Sequence, residues 1–218
     1  MKNRFDVIIF DWDGTLINSI DWIAGCLQLA AEQCLLPRPK TQVAKNTIGL
    51  SIEKAMLSLF PEADQKLLIQ LVNSYHVAYQ SKRLGREHFF PGVYDMLVTL
   101  KQGGYKLAVA TGKTRKELQK VLQLTGTEAL FDITRAADET ASKPSPRMLQ
   151  EILGHCACPT ERALMVGDSV YDLEMARNAN MAAIAVTCGA HPQAVLQEYQ
   201  PLLCLQQPAE LLTLINRG

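Results

Sequence analysis

Short apolar runs alternate with segments of helical pattern along most of this 218-residue chain, and no other feature constrains its fold as strongly. Apolar runs of this kind are typical of strands that are buried on both faces of a sheet. When successive strands are joined through helices, right-handed crossovers make the strands parallel and cover both faces. The sequence therefore predicts an α/β fold with a doubly wound parallel sheet. The predicted strands are 7–10, 106–110, 131–134, 163–166 and 183–187, with a weak edge strand at 202–205.

The alternation is interrupted between residues 17 and 85, where no strand pattern is present. Apolar residues in this stretch recur at helical spacing instead, as Ile20, Ile23 and Leu27 do. Helices are predicted at 20–34, 40–46, 51–59 and 62–80. The chain therefore divides into two predicted units. These are an α/β core domain, residues 1–16 and 86–218, and an inserted all-helical cap domain, residues 17–85.

Capping residues set the predicted ends of several helices. A helix N-terminus is stabilised when a polar side chain accepts a hydrogen bond from a free backbone N–H. Asn18 or Ser19 is expected to cap the first cap helix in this way. In the core, Ser145 and Pro146 are expected to begin a helix, because proline is favoured at the first helical position. Gly154 is expected to end that helix, because glycine readily adopts the conformation found at helix C-termini.

Charge and composition exclude several classes of protein. Lys plus Arg equals Asp plus Glu at 22 each, so nothing indicates a nucleic acid or an anionic membrane as partner. No apolar run reaches the ~18 residues of a membrane span, and the first residues lack the pattern of a signal peptide. The cysteines are scattered, and Cys156 and Cys158 lack a second ligand pair at zinc spacing, so free thiols are expected. We therefore expect a soluble cytoplasmic protein, whose oligomeric state the sequence leaves open.

Two aspartates, Asp11 and Asp13, come directly after the first predicted strand. Because side chains alternate along a strand, both carboxylates are expected on one side and Trp12 on the other, where it would pack. Two neighbouring acids raise each other's pKa, and a divalent cation with oxygen ligands relieves this repulsion. The alternative is an ordinary Asp-Gly turn, in which Gly14 supplies the backbone freedom.

Polar residues also follow two further predicted strands. Thr111 and Gly112 follow one of them, where a hydroxyl and an exposed backbone N–H at a helix N-terminus favour an anion. Asp168 follows the other, and Asp172 lies four residues further on, where it could instead complement the helix dipole. Ligands of such sheets bind beyond the carboxyl ends of the strands, so these side chains are expected to meet. The predicted ligands of Mg²⁺ are Asp11, Asp13, Asp168 and Asp172.

The order of these residues resembles the four motifs of the haloacid dehalogenase superfamily of phosphohydrolases, over essentially the whole chain. The motifs stand here as Asp11–Thr15, Thr111, Lys143 and Gly167–Asp172. The helical insertion after the first motif is similar to the α-helical cap of one subclass, and the overall pattern resembles that of phosphoglycolate-phosphatase-like members. The resemblance implies a Rossmann-like core and a magnesium-dependent phosphatase that acts on small phosphate monoesters such as phosphoglycolate.

The resemblance also implies a role for each motif residue. Asp11 would be the nucleophile that forms an aspartyl-phosphate, and Asp13 would be the general acid/base. Thr111 and Lys143 would hold the phosphoryl group, while Asp168 would bind magnesium. These roles agree with the chemistry of phosphoryl transfer, in which a protein mainly positions the reactants and neutralises charge.

Substrate recognition is expected to involve the cap. Gly49 and Leu50 lie at a break between two predicted cap helices, where the backbone could approach the substrate. The superfamily usually has asparagine or another small polar residue after the threonine of the second motif, whereas this chain has Gly112. A side-chain contact with the substrate is therefore lost there, although the backbone donor remains. Two histidines are expected to lie outside the chemistry, with His191 structural and His76 on the surface.

Several alternative functions stay open on the sequence alone. A sugar phosphomutase of the same superfamily, similar to β-phosphoglucomutase, would share the motifs. A non-catalytic, phosphate-sensing interaction protein would not need all the motif residues, and their presence disfavours it. A phosphonate hydrolase would need a lysine in the cap that forms a Schiff base, and Lys40, Lys45 and Lys54 are available.

Overall fold

The computed structural model describes residues 4–216, and six parallel strands run through the core as one sheet. In chain order the strands are β1 Val7–Phe10, β2 Lys106–Ala110, β3 Ile133–Arg135, β4 Ala163–Gly167, β5 Ala182–Val186 and β6 Cys204–Leu205. Their order across the sheet is β3-β2-β1-β4-β5-β6, and all neighbours are parallel. The chain builds outward from β1 in one direction and then from β4 in the other, as a doubly wound fold does. The predicted α/β class is confirmed.

Side-chain alternation along the strands creates two hydrophobic layers, one on each face of the sheet. In β1, Ile8 and Phe10 belong to one layer, whereas Val7 and Ile9 belong to the other. All four residues are fully buried, and every residue of β4 is buried as well. A strand covered on both faces must be apolar at nearly every position, which is why these runs are continuous in the sequence.

Four α-helices lie between residues 17 and 85, and the structure assigns no strand there. They are α1 Ile20–Gln33, α2 Thr41–Lys45, α3 Ile52–Leu59 and α4 Gln65–Gln80. α1 packs against α2 and α4, and α3 packs against α4. The predicted cap helices are therefore present, and their ends agree with the prediction to within three residues.

The two connections between this helical segment and the core run side by side. The backbone N–H of Asn18 donates to the His88 carbonyl at 2.8 Å, and that of Phe90 donates to the Leu16 carbonyl at 3.1 Å. These bonds tie the chain that leaves the core to the chain that returns to it. The division into a core domain (residues 1–16 and 86–218) and a cap domain (residues 17–85) stays a prediction, and the two segments are called core and cap below.

The remaining helices cover both faces of the sheet. They are α5 Val93–Gln102, α6 Arg115–Thr125, α7 Arg147–Cys156, α8 Val170–Asn178, α9 Gln193–Gln197 and α10 Leu211–Asn216, with 3₁₀ turns at Arg86–His88, Glu128–Leu130, Thr160–Arg162 and Pro208–Glu210. α5 and α6 contribute buried residues to the layer that contains Ile8 and Phe10. α7 and α8 contribute to the opposite layer. The helices therefore separate into two sets, as the alternating pattern predicts.

The predicted cap of α1 and both predicted ends of α7 differ from the structure; α7 begins at Arg147, so Pro146 stands at the N-cap instead of at the first helical position. Ser19 stands at the N-cap of α1, but its hydroxyl donates to the Asp13 carboxylate at 2.7 Å and does not cap the helix. A charged carboxylate is a stronger acceptor than a neutral group, so it attracts the hydroxyl. α7 continues through Gly154 to Cys156 and ends at Ala157, which has a left-handed conformation. Cys156 packs in the second layer, and this burial outweighs the ~1 kcal/mol that an internal glycine costs.

Two expectations drawn from composition can be compared with the structure. All six cysteines are free thiols, as predicted. Among residues 4–216, no helix is both long enough and apolar enough to cross a bilayer.

Leu97→Ala should lower the free energy of unfolding by about 2–5 kcal/mol, because Leu97 is fully buried in the layer beneath α5 and its truncation leaves a cavity. Leu35→Ala is the matched control, since Leu35 is 94% exposed. The control should change stability by less than about 0.5 kcal/mol. Urea unfolding followed by circular dichroism measures both effects, and equal effects would contradict the assignment of Leu97 to the core.

Candidate active site

Three polar residues extend the carboxyl ends of neighbouring strands at one edge of the sheet. Asp11 follows β1, Thr111 follows β2 and Asp168 follows β4, and β1 lies between the other two strands. The ladder continues beyond the strand ends, since the N–H of Asp11 donates to the Val166 carbonyl at 3.0 Å. All three side chains are buried. The strand order thus brings together residues that the sequence predicts to meet.

Lys143 joins two of the acids at this edge. It lies in the loop before α7, and its ammonium is 2.8 Å from Oδ1 of Asp11 and 2.7 Å from Oδ1 of Asp172. All three side chains are buried. Burial alone would lower the pKa of Lys143, but the charges of Asp11 and Asp172 raise it above its usual value. The ammonium is therefore positively charged at neutral pH.

The carboxylates of Asp11, Asp168 and Asp172 form a cluster whose oxygens lie within 4.8 Å of one another. Burial raises the pKa of Asp11 to about 7, although the Lys143 charge opposes this rise. Burial also raises the pKa of Asp168 well above its usual range, and the charges of Asp11 and Asp172 raise it further. The cluster thus holds three carboxylates, and the one ammonium, that of Lys143, contacts two of them. A divalent cation that prefers hard oxygen ligands fits this set of donors.

The Asp168 carboxylate is held in place by the loop after β1 and by the loop after β5. The Thr15 hydroxyl donates to its Oδ1 at 2.8 Å, and the backbone N–H of Ala190 donates to its Oδ2 at 2.7 Å. Gly14 leaves room for this carboxylate, because a Cβ on Gly14 would lie 2.3 Å from Oδ2. Gly14 also has a φ of +77°, which glycine adopts far more readily than other residues. The first motif therefore supplies an acid and also positions the acid of the last motif.

Asp13 has partners of its own, apart from this cluster. Its Oδ2 is 2.7 Å from the ammonium of Lys113, and its Oδ1 accepts a hydrogen bond from the Ser19 hydroxyl at 2.7 Å. The structure thus does not bring the Asp13 carboxylate into the group of candidate metal ligands. This corrects the sequence prediction, which counts Asp13 among the magnesium ligands. The physical reason is that Asp13 pairs with Lys113, whereas Asp11 and Asp172 share Lys143 next to Asp168.

Lys113 is a residue of this site that sequence reasoning misses. Its side chain is 5% exposed, and its ammonium also donates a hydrogen bond to the Tyr79 hydroxyl of α4 at 2.7 Å. Burial would lower the pKa of Lys113, but the charge of Asp13 raises it above the usual value. A signal is present in the sequence, because Lys113 follows the end of a strand by three residues. It is weak because a lysine in such a loop is usually solvated.

The cap loop that carries Gly49 and Leu50 lies directly on the core. A Cβ on Gly112 would lie 2.4 Å from the Leu50 carbonyl oxygen, and one on Gly49 would lie 2.8 Å from the Ser169 hydroxyl. The loop can come this close only because both positions lack a side chain. This accounts for Gly112 at a position where the superfamily usually has a small polar residue. That Gly49 and Leu50 bind the substrate stays a prediction.

Hydrogen bonds from core loops hold the cap over the strand ends. The Tyr171 hydroxyl donates to the Asn46 carbonyl at 2.9 Å. The backbone N–H of Ser51 donates to the Ser142 hydroxyl at 3.0 Å. Together with the bond from Lys113 to α4, these contacts describe a closed arrangement of cap and core.

The sequence predicts His76 on the surface, and the structure shows it only partly exposed, with a partner that the sequence does not predict. Its Nδ1 lies 3.2 Å from Oε1 of Glu117 in α6, and the two side chains are only 27% and 15% exposed. The hydrogen bond with Glu117 raises the pKa of His76. Burial alone would raise the pKa of Glu117, but the bond with His76, the Lys113 charge and bonds from Thr114 lower it to about 2. His76 therefore joins cap and core through a partner that lies 41 positions away in the sequence.

A cavity of about 50 Å³ lies between the cap and the strand ends. Lys113 and apolar cap side chains form part of its wall. The predicted site residues that line it are Asp11, Asp13, Gly49, Leu50, Thr111 and Gly112. The cap lysines considered for a Schiff base, Lys40, Lys45 and Lys54, are not among the lining residues, which disfavours a phosphonate hydrolase.

Two further aromatic residues near the site have packing contacts. Trp12 is fully buried and packs edge to face against Phe89 and Phe131, as predicted. His191 is buried and contacts the Tyr171 ring edge to face. Burial lowers the pKa of His191, so the ring is neutral at physiological pH. This agrees with the structural role expected of it.

A comparison with known proteins places this site in a family. The family model described as haloacid dehalogenase-like hydrolase matches residues 8–186, which is most of the chain. The chain belongs to this family. The resemblance read from the motifs is therefore confirmed, and the protein is an enzyme of the hydrolase class.

Relatives of this haloacid dehalogenase-like hydrolase match it almost from end to end. It is 32% identical over 211 residues to "Probable phosphatase IndB" of Dickeya dadantii (strain 3937), with 94% of this chain and 91% of that protein covered. It is 28% identical over 224 residues to the phosphoglycolate phosphatase of Nitrosococcus oceani, with 100% of both covered. It is also 28% identical over 214 residues to pyrophosphatase PpaX of Bacillus cereus (strain B4264), with 98% and 97% covered. A solved hydrolase structure from Pseudomonas syringae shares the fold, with a TM-score of 0.87 at 20% identity over 97% of this chain and 98% of that one.

The contact between His76 and Glu117 should make the stability of this hydrolase depend on pH. The folded-state pKa of His76 is raised. The stabilisation is therefore fully present below the unfolded pKa of about 6.5 and is lost as the pH rises through the folded pKa. Between about pH 6 and about pH 9, the wild type should lose more stability than His76→Gln does, by at most about 1 kcal/mol.

Urea unfolding at the two pH values measures this difference. His155→Gln is the matched control, because His155 is exposed at the end of α7. The control should keep the pH dependence of the wild type. If His76→Gln kept it too, the pair would contribute nothing to the contact between cap and core.

Proposed function

We propose that this hydrolase is a magnesium-dependent phosphatase that hydrolyses small phosphate monoesters of the phosphoglycolate type through an aspartyl-phosphate on Asp11. The observation that carries the proposal is the contact of the Asp11 carboxylate with the Lys143 ammonium inside a buried acidic cluster. Phosphoryl transfer needs a nucleophile, positive charge for the phosphoryl oxygens and a group that moves the proton, and this site offers all three. Relatives named as phosphatases support the same activity.

Asp11 is the proposed nucleophile, and the contacts of its two carboxylate oxygens differ. Its Oδ1 accepts a hydrogen bond from the backbone N–H of Trp12 at 2.7 Å and another from Lys143 at 2.8 Å. Its Oδ2 has no such partner among the described residues, so Oδ2 is the atom proposed to attack phosphorus. The new bond joins Oδ2 to phosphorus while the bond between phosphorus and the ester oxygen breaks. Covalent catalysis of this kind divides the hydrolysis into two easier steps.

Asp13 is proposed to move the proton in both steps. It first donates a proton to the leaving oxygen, and then removes one from the water that attacks the aspartyl-phosphate. Attack by that water releases phosphate and restores the Asp11 carboxylate. Asp13 lines the same cavity as Asp11, and the Ser19 hydroxyl and the Lys113 ammonium orient its two oxygens.

Lys143 and Thr111 are proposed to hold the phosphoryl oxygens. An ammonium has three N–H donors, and Asp11 and Asp172 use two of those on Lys143. The third donor is left for an oxygen of a phosphoryl group bound at Asp11, which Lys143 contacts although it does not itself line the cavity. The Thr111 side chain lines the cavity beside Asp11 and Gly112, so its hydroxyl can supply another hydrogen bond.

The acidic cluster is proposed to hold Mg²⁺ through Asp11, Asp168 and Asp172. Hard carboxylate oxygens, few in number, are the ligands that this ion takes from proteins. When bound, the ion supplies positive charge that neutralises the phosphoryl oxygens. The raised pKa values of Asp11 and Asp168 reflect the burial of several acids near one another, and a cation relieves that cost.

The size of the cavity favours a small leaving group. Its volume of about 50 Å³ is well below the roughly 300–1,000 Å³ of typical small-molecule sites. Phosphoglycolate and pyrophosphate, which appear in the names of two relatives, are both small. A sugar phosphomutase of the same superfamily is the alternative. A non-catalytic phosphate sensor is disfavoured because Asp11, Asp13 and Lys143 are arranged for chemistry. Cytoplasmic location and the absence of a nucleic-acid partner stay predictions.

Asp11→Asn should fold normally and lose turnover by a factor on the order of 10⁴ or more, because an amide cannot attack phosphorus. Phosphate release from phosphoglycolate measures the rate. Asp21→Asn is the matched control, because the Asp21 side chain is 84% exposed and lies away from the cavity. A tenth or more of the wild-type turnover in Asp11→Asn would refute the assignment of Asp11 as nucleophile.

Removal of metal should abolish activity, and Mg²⁺ should restore it. Ca²⁺ should inhibit, because its larger and looser coordination misplaces the nucleophile and the phosphate. A second readout is independent of activity. Millimolar Mg²⁺ should raise the melting temperature of the wild type but not that of Asp168→Asn, since a ligand that binds only the folded state stabilises it. An equal shift for both proteins would exclude Asp168 as a magnesium ligand.

A further inference from the structure

We propose that Lys113 forms a subsite for a negatively charged group on the leaving group of the substrate, and that Tyr79 of the cap completes this subsite. The inference rests on the proposed phosphatase function and adds a chemical class to it. That class is a short leaving group with an anionic oxygen group of its own, either a carboxylate or a phosphate.

Lys113 lies on the leaving-group side of the cavity. It lines the cavity together with Asp11 and Asp13, whereas Lys143 contacts Asp11 without lining the cavity. The Lys113 ammonium is 2.7 Å from Oδ2 of Asp13. Asp13 is the proposed proton donor to the leaving oxygen, so a cation beside Asp13 is also close to the group that leaves.

The Lys113 ammonium has a donor left for a ligand. It has three N–H groups, and Asp13 and the Tyr79 hydroxyl take one each at 2.7 Å. The side chain is only 5% exposed, so bulk water has little access to the third. A buried N–H without an acceptor is unfavourable, and an anionic oxygen in the cavity would satisfy both the hydrogen bond and the charge.

The remaining acid of the cavity wall does not occupy this donor. Glu117 of α6 accepts hydrogen bonds from the backbone N–H and the hydroxyl of Thr114, at 3.0 and 2.9 Å, and it pairs with His76. Most of the remaining wall is apolar: Ile23, Leu27, Ile48, Ile52 and Ala55 of the cap. Apolar walls exclude water and strengthen the attraction between a cation and an anion.

Because Tyr79 belongs to the cap, the subsite depends on closure of the cap over the core. Tyr79 belongs to α4, and its ring stacks on that of Tyr75 with centroids 5.7 Å apart, which fixes its position. Its hydroxyl then orients the Lys113 ammonium. Because Tyr79 comes from the cap and Lys113 from the core, the subsite is complete only when the cap covers the strand ends. The far end of the substrate is therefore recognised in the same state in which water is excluded.

Phosphoglycolate and its neutral carboxamide analogue, phosphoglycolamide, test this subsite because they differ mainly in charge at the far end. Wild-type kcat/KM should be higher for phosphoglycolate by about tenfold to a hundredfold, the effect of one hydrogen bond to a charged group. Lys113→Met should reduce this ratio to near one. Lys116→Met, at an exposed lysine of α6 outside the cavity, should keep the wild-type ratio.

Pyrophosphate distinguishes the two sources of the anionic group. If Lys113→Met lowers kcat/KM for pyrophosphate as strongly as for phosphoglycolate, the subsite accepts any anionic oxygen group. If only phosphoglycolate is affected, the subsite is specific for a carboxylate. Both results support the proposal.

Two other results would overturn it in distinguishable ways. If Lys113→Met lowers kcat/KM for phosphoglycolate and phosphoglycolamide by the same factor, the subsite is refuted and Lys113 only supports Asp13. If the wild type releases phosphate from none of the three compounds, the phosphatase function is refuted and the subsite with it. Should Lys113→Met fail to fold, Tyr79→Phe keeps the charge and should raise KM for phosphoglycolate several-fold more than KM for phosphoglycolamide. An unchanged KM in Tyr79→Phe would refute the role of Tyr79.

Discussion

The site depends on one buried contact, in which the Lys143 ammonium lies between the carboxylates of Asp11 and Asp172. Charges are costly to bury, and pairing offsets that cost only when the geometry is good. The sheet provides this geometry because β1 and β4 are neighbours, so that Asp11 and the start of α8 lie side by side. Removal of the Lys143 ammonium would leave both acids buried and unpaired, and breaking a buried ion pair in this way typically costs about 3–5 kcal/mol. Asp11→Asn is milder, because Asp172 still pairs with Lys143. The stability of this edge of the sheet and its proposed chemistry therefore depend on the same residues.

A second group of charges surrounds Asp13, and it differs from the first in where its members come from. The cluster around Lys143 belongs entirely to the core, whereas Asp13 is held by Ser19 at the start of the cap and by Lys113, which in turn bonds to Tyr79 of α4. Phosphoryl chemistry is the same for every ester, so its residues can be fixed in the sheet. The leaving group differs from one ester to another. The protein groups that contact it are therefore expected next to the cap, where cap residues can alter their position. The cluster around Lys143, within the core, is thus proposed to serve phosphoryl transfer. The cluster around Asp13, at the boundary between core and cap, is proposed to serve the leaving group.

Much of this arrangement could be predicted because its signals are local. A continuous apolar run such as Val7–Phe10 implies a strand buried on both faces, and acids at the ends of parallel strands then meet at one edge. Contacts between distant parts of the chain could not be predicted in this way. The burial of Lys113 depends on Tyr79, 34 positions earlier, and the position of His76 depends on a partner 41 positions later. The prediction that α7 ends at Gly154 fails for a related reason. The local preference of glycine for a helix end is outweighed by the burial of a residue that follows it, Cys156.

The contact between Gly112 and the cap loop links a departure from the superfamily pattern to the proposed substrate class. Because Gly112 has no side chain, the Leu50 carbonyl oxygen can lie only 2.4 Å from where a Cβ would be. A polar side chain at this position would project toward the substrate and hold the cap loop further from the strand ends. Without it, the cap loop itself forms part of the cavity wall, and the cavity is correspondingly small, at about 50 Å³. In the proposed subsite, contact with the leaving group then falls to the next residue, Lys113, whose longer side chain lines the same cavity and bonds to Tyr79.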